Sequence, residues 1–352
     1  MAQVDRVEEH FRQQQNWCRA SPFMFQLHQA MADNYRAKGI IADLIADWPD
    51  NISRDAVSLR LAAALHLAAL ERPDTGLQAV YPAAKPDWTM AEIWPLADRY
   101  LTDHVEDVRS FIQSPPQTNE VNRSLILLPG FLDVSVRSGQ PLHLLELAAS
   151  AGLNQNWDRY NYFTNTWTRT GQSDVTLKAT WSGPVPRHLD HTPLIVSRAA
   201  CDLNPINVSD PAAARRLKAY VGADQFERLT RLEQAIALAR EIGGVPDQAD
   251  AVDWLHKKLK QRSRAGVTVI YHSMFLHYPP ENTRRALLDL IAAAGEAATE
   301  TAPLAWLCYE SEGFFRGNSQ PGRLVSHLTY WPGGETKVMA ESDGHALSVT
   351  AV

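Results

Sequence analysis

With 352 residues and a net charge of −6, the chain is long enough for one large core plus a smaller domain, and it has no dense Lys/Arg block of the kind that broad nucleic-acid binding requires. A hydrophobic fraction of 45% against 21% charged residues is that of an ordinary soluble globular protein. Cys18, Cys201 and Cys308 lie too far apart for a CxxC metal pair and are odd in number, so no disulfide framework follows and a reducing cytoplasm is the expected setting. The charged start (Asp5, Arg6, Glu8, Glu9) lacks a signal-peptide core, and the most apolar helical run, residues 59–70, contains Arg60 and His66 and is too short to span a bilayer.

The first ~120 residues carry helical periodicity and no clear alternation of period two. Ser21-Pro22 supplies a cap followed by proline at the first helical position, and Gly39 stands where that helix stops. Ser53 is placed to cap the next helix, with Val57, Leu61 and Leu65 on one face and an end at Arg72-Pro73. A third helical stretch covers residues 88–112, with Leu96, Tyr100, Val108 and Phe111 as core contacts. Pro115-Pro116 then breaks the chain ahead of a dense polar cluster, Gln117 to Ser124. Val121, Leu125, Leu128, Leu132 and Val136 follow at helical spacing, with a kink expected at Pro129.

From residue 142 the texture changes to alternating strands and helices, the pattern of a mostly parallel sheet. Strands are expected at 142–147, 194–202, weakly before Asp250, at 267–272 and at 304–310. The tail at 324–331, 335–340 and 346–352, turning at Gly333-Gly334, reads as an antiparallel meander. The aromatic stretch 157–181 interrupts the first crossover as an insertion, with a hairpin expected between 166–170 and 175–181. The division is therefore a helical N-terminal domain, 1–119, and an α/β domain, 120–352.

Glu146-Leu147-Ala148-Ala149-Ser150-Ala151-Gly152-Leu153-Asn154 is the most informative run. A carboxylate ends a buried strand, and small residues then let a ligand approach the backbone before a helical segment. Gly152 is its one glycine, whereas closure on a pyrophosphate needs three, so an adenosine without phosphate fits better than a dinucleotide. Asp202 ends the second strand, and Asp250 follows the third and is also placed to cap a helix. His272-Ser273 ends the fourth strand, where open sheets place their chemistry. In the 117–124 cluster, Asn119 and Arg123 are the candidate binding residues, because capping needs only one or two of the polar groups. Trp157 and Tyr160 are aromatic candidates for contact with a cationic ligand, against a packing role. The His188-Leu189-Asp190-His191 run lacks companion ligands, so no metal is expected.

Several blocks carry a resemblance over essentially the whole chain: Gln117-Thr118-Asn119-Glu120 with Arg123-Ser124, the 146–154 run, Trp157-Asp158-Arg159-Tyr160, Asp202-Leu203-Asn204-Pro205, His272-Ser273 and Trp331-Pro332-Gly333-Gly334-Glu335. They resemble the signature blocks of an uncharacterised bacterial domain-of-unknown-function family. That family tends to have glycine where this chain has Ala148. More distantly, the chain resembles class I S-adenosylmethionine-dependent methyltransferases. This implies a Rossmann-like sheet, mostly parallel with an antiparallel C-terminal hairpin, beside the helical domain. By the same resemblance Glu146, Ala148, Ser150, Gly152 and Asn154 would line the methionine part of S-adenosylmethionine. Asp202 would take the ribose hydroxyls and Asp250 would approach the adenine. His272 would be the general base, and Asn119, Arg123, Trp157, Tyr160 and Ser273 would meet the acceptor. The expectation is methyl transfer to a small molecule, or else an adenosine-type binding protein without turnover. No Gly-x-Ser-x-Gly elbow supports a hydrolase. Oligomeric state and acceptor are left open.

Overall fold

Residues 3–49, 51–318 and 320–352 are described by a computed structural model. The chain divides into two compact units, Met1–Thr118 with Ser209–Thr230, and Asn119–Val208 with Arg231–Val352. The helical stretch after Asp210, whose carboxylate caps the helix Pro211–Ala219 by accepting from Ala212 N, thus returns to the first unit.

The first unit is helical, and the described residues up to 118 contain no strand. Ser21 caps the helix Pro22–Arg36 as its sequence predicts, accepting from Met24 N at 3.0 Å. Ser53 does not cap the helix Val57–Glu71. That helix starts from Ala56 in a left-handed conformation (φ 49°), with no side-chain cap. The single helix expected at 88–112 is two, Met90–Asp103 and Val105–Gln113, separated at His104. Phe11, Phe23, Leu27, Met31, Ile41, Leu61, Leu65, Ile93 and Leu101 form the shared core. His10, His28 and His66 are buried in this unit as well, at 0%, 0% and 6% exposure.

The second unit is built on one mixed, mostly parallel sheet. In chain order its strands are β1 Leu142–Leu147, β2 Asn161–Thr164, β3 Thr168–Arg169, β4 Thr176–Ser182, β5 Ile195–Asp202, β6 Asp247–Gln248, β7 Val267–Ser273, β8 Leu304–Ser311, β9 Leu324–Trp331, β10 Glu335–Ser342 and β11 Ser348–Ala351. Across the sheet the order is β3-β2-β4-β11-β10-β9-β8-β7-β1-β5-β6. β1 pairs in parallel with β5 and β7, and β7 with β8, as the alternating texture predicts. β8, β9, β10 and β11 form the expected antiparallel meander. The weak third strand is two residues long and pairs with the end of β5.

The aromatic insertion joins this sheet through its last strand, β4, which runs parallel to β11. Its hairpin differs from the expected one. β3 pairs antiparallel with β2, and β4 pairs in parallel with β2, an arrangement in which Tyr162, Leu177 and Trp181 are all buried.

β7 and β8 are buried almost throughout, so they read as continuous apolar runs with covered faces. One face carries Leu145, Leu147, Ile270, Trp306 and Cys308, packed with Leu255, Leu287 and Ile291 from the helices Ala251–Lys260 and Glu281–Glu296. The alternate residues point the other way, toward the helix Arg123–Ser138, whose Phe131 meets the Tyr271 ring edge-on at 5.1 Å. The helix runs continuously through Pro129.

Candidate functional site

The chain adds strands outward from β1 through β5 to β6, then returns to the other side of β1 to lay down β7 and β8. Strand order therefore reverses between β1 and β7, and open α/β sheets hold ligands outside the carboxyl ends of strands at such a point. Asp202 and Ser273 end their strands there, and Glu146 lies one residue before the end of β1.

Register decides which of these side chains can meet. Glu146 lies opposite Ala200 on β5 and Tyr271 on β7, so Glu146, Asp202, Tyr271 and Ser273 share one face. His272 shares the other face with Ile270 and Trp306, one residue out of phase.

Glu146 is 4% exposed, and its Oε2 accepts from the Tyr271 hydroxyl at 3.2 Å. Burial pushes its carboxyl up to about 8, the Tyr271 bond opposes this, and the Asp202 charge adds to it. A carboxyl poised there is mostly neutral at pH 7 and ionises readily when a cation arrives.

The loop after β1 is clamped from three sides. Ser150 N donates to Asp202 Oδ2 at 2.7 Å, Ala149 N to Cys201 O at 3.0 Å, and Leu153 N to Asn119 Oδ1 at 3.0 Å. Ala148, Ser150 and Gly152 take φ values of 53°, 55° and 69°. Left-handed backbone at two non-glycine residues is unfavourable and persists only where the surroundings impose it. Met274, directly after β7, adopts φ 53° as well, so both loops at the strand-order reversal carry this conformation. The Ser150 Oγ is buried and has no partner among the described residues.

The remaining expected contacts are placed differently. Asn154 is buried, accepts from Ser124 Oγ at 2.7 Å and donates to Glu120 O at 3.3 Å, so it anchors the loop to the helix Arg123–Ser138 instead of facing a ligand. Asp250 is exposed and caps the helix Ala251–Lys260, accepting from Val252 N and Asp253 N. Its cap explains it without an adenine. Trp157 is fully buried and stacked on Phe131 at 4.2 Å, and Tyr160 is fully buried with its hydroxyl given to Leu153 O. Both are packing residues of the loop. His191 bonds Ser135 Oγ at 2.8 Å, and no group of three or more metal-ligating side chains occurs among the described residues.

His272 is enclosed. Its Nδ1 lies 2.8 Å from Glu310 Oε1, and its Nε2 lies 3.0 Å from the Trp306 indole nitrogen. An indole N–H can only donate, so Nε2 accepts and the ring hydrogen sits on Nδ1, directed at Glu310. Glu310 also accepts from Phe275 N at 2.6 Å and Leu276 N at 3.3 Å. The histidine therefore braces the loop after β7 from the face opposite Glu146. The general-base role expected for it fails on both counts: its lone pair is taken, and it points away.

Over residues 8–350 the sequence matches the family model described as an uncharacterized protein conserved in bacteria (DUF2332). The chain belongs to that family. No curated protein matches it. Among the described residues of this family member, no helix is long and apolar enough to cross a membrane.

On the Glu146 face the polar cluster at 119–124 ties the site together. Glu120, 4% exposed, faces Arg231 at 3.5 Å through Oε1 and His345 Nδ1 at 3.3 Å through Oε2. Asn122 donates to Lys178 O at 3.0 Å and Ala346 O at 2.8 Å, and Arg123 donates from Nε to Gly344 O at 3.1 Å and from Nη1 to Ser273 O at 3.4 Å. Tyr309, opposite Ser273 on β8, donates its hydroxyl to Asp343 O. The 343–346 turn between β10 and β11 is thereby drawn to the end of β7. Sequence reasoning did not single out His345, Tyr271 or Glu310. Asp343-Gly344 signals only a turn, and a tyrosine or glutamate inside a strand signals nothing until register is known.

Proposed function

We propose that the second unit binds S-adenosylmethionine at the carboxyl ends of β1, β5 and β7 and transfers its methyl group to a small molecule. The observation that carries this reading is the placement of Glu146 and Asp202 on one face, flanking a glycine-poor left-handed loop where strand order reverses. The Asp202 carboxylate disfavours a phosphate, and Glu146, which ionises when a cation arrives, suits a ligand with hydroxyls and a cationic group. Each Asp202 oxygen accepts one backbone N–H and retains a lone pair for a ribose hydroxyl. The strand order and antiparallel meander are consistent with a Rossmann-like, methyltransferase-type sheet.

S-adenosylmethionine supplies a methyl group already activated by its sulfonium, so this chain's residues need only hold it, exclude water and receive the acceptor's proton. A second reading, an adenosine-type binding protein without turnover, is favoured by the enclosure of His272. Mass spectrometry of ligand released from the purified protein, followed by an assay for S-adenosylhomocysteine, separates the two. A co-purified adenosyl ligand with product formed supports transfer, and the ligand without product supports binding alone. A protein that neither carries nor takes up an adenosyl compound overturns both.

A further inference from the structure

A second polar cluster, built on Arg123 and His345, lies at the end of β7 outside the proposed cofactor contacts. Arg123 is a partly buried cation whose usual charge burial disfavours, with Glu120, Tyr278, Tyr309 and Glu310 as the groups that counter this. It makes no ion pair among the described residues. Its Nε and Nη1 go to the carbonyls of Gly344 and Ser273, while Nη2 bonds no described residue. A guanidinium held by two carbonyls at the end of β7, with one edge unspent, is a receptor for an oxyanion.

His345 is the neighbour of the carbonyl that Arg123 holds. Its side chain is 42% exposed, its Nδ1 faces the buried Glu120 carboxylate, and its Nε2 bonds no described residue. A carboxylate accepts, so Nδ1 carries the ring hydrogen and Nε2 presents a lone pair, the arrangement in which a carboxylate orients a histidine base. His272 has the same carboxylate partner type but lacks a free nitrogen and the correct face.

We propose that Arg123 and His345 form the acceptor subsite, taking a small molecule that carries a carboxylate beside its nucleophilic group. This rests on the methyl-transfer reading for its second half only. A monoanion suits the subsite better than a phosphate dianion, because the buried Glu120 carboxylate lies directly against His345. In the transfer, the acceptor's lone pair forms the bond to the methyl carbon, the sulfur keeps the electrons of the bond that breaks, and the acceptor's proton passes to Nε2 of His345.

Two experiments separate the parts. In the first, acetate is titrated into full-length protein with isotopically labelled histidine, the His345 ring signal being assigned by its loss in His345→Gln. The signal should move saturably, Arg123→Gln should weaken acetate by about tenfold or more, Arg123→Lys should keep part of the affinity, and inorganic phosphate should bind less well. A His345 signal that acetate leaves in place, or moves equally in Arg123→Gln, overturns the subsite. This result stands whether or not S-adenosylmethionine binds, which calorimetry measures separately. In the second, a panel of hydroxy- and amino-carboxylic acids is offered with S-adenosylmethionine. Product from at least one acid, lowered about 10²–10⁴-fold in His345→Gln with cofactor affinity unchanged, supports the proton-accepting role. Cofactor binding with no acid turned over, or undiminished turnover in His345→Gln, overturns it.

Discussion

The Trp306 indole N–H donates to Nε2 of His272 at 3.0 Å, while Nδ1 of the same ring faces Glu310 at 2.8 Å, so one buried histidine joins β7 to β8 and holds the turn at Phe275. Both partners are completely or nearly buried. His272→Ala therefore leaves the indole N–H unpaired and the buried carboxylate with only the Phe275 and Leu276 N–H groups, and should destabilise the protein by about 3 kcal/mol or more in chemical denaturation. A loss below ~1 kcal/mol would mean that the bracket carries little weight.

Glu146 makes stability fall as pH rises. Its folded pKa of about 8 lies above the ordinary carboxylate range, so between roughly pH 4.5 and 8 the folded state holds a proton that the unfolded state has lost. Glu146→Gln should remove this penalty, with a stability advantage over the parent that widens with pH across that window at up to about 1.4 kcal/mol per unit. Urea midpoints at pH 5, 7 and 8 measure it, and parallel curves for the two proteins would refute the buried neutral carboxyl.

The first unit has the opposite dependence. His10, His28 and His66 are drawn down to about 4, chiefly by burial, with proximity of His28 adding to the effect at His10. A depressed histidine contributes stability that is complete above its unfolded value near 6.5 and is lost as pH falls toward 4. Acidification from pH 7 to 5 should lower the denaturation midpoint of the helical unit, and His66→Gln should flatten that fall. No change in midpoint between pH 7 and 5 would contradict the assignment.

Ala148 occupies left-handed backbone at φ 53°, a conformation natural to glycine. Ala148→Gly should raise the melting temperature by relieving roughly 1 kcal/mol of strain, less the entropy that glycine adds to the unfolded chain. Asp202→Ala should act oppositely, because the Ser150 N–H loses its charged acceptor. Equal melting temperatures for Ala148→Gly and the parent would place the strain elsewhere.

Much of the fold was legible because β7 and β8 are largely apolar runs between turn signals, buried almost throughout, and a covered parallel sheet needs that pattern. The site was legible only in part. Glu146, Asp202 and the loop between them announced themselves by chemistry misplaced in a buried strand, and Asn119 and Arg123 by excess polarity after a proline break. His272 misled because a sequence gives the end of a strand without its phase, and one residue of phase moves a side chain to the opposite face. His345 was invisible because the Asp343-Gly344 turn is drawn to the end of β7 by Arg123 and Tyr309, contacts more than 30 residues apart in sequence. Asn154, Trp157 and Tyr160 looked like ligand contacts because residues that hold a loop have the same composition as residues that use it.

Calorimetric titration of S-adenosylmethionine into the parent, Glu146→Gln and Asp202→Ala is the most direct measurement of the cofactor claim. Saturable binding by the parent, weakened about tenfold or more in each variant at unchanged fold, is the predicted result, since each carboxylate contributes charge-assisted hydrogen bonds of roughly 1.5–3 kcal/mol. No binding by the parent, or equal affinity in all three proteins, would contradict an adenosyl site on the Glu146 face.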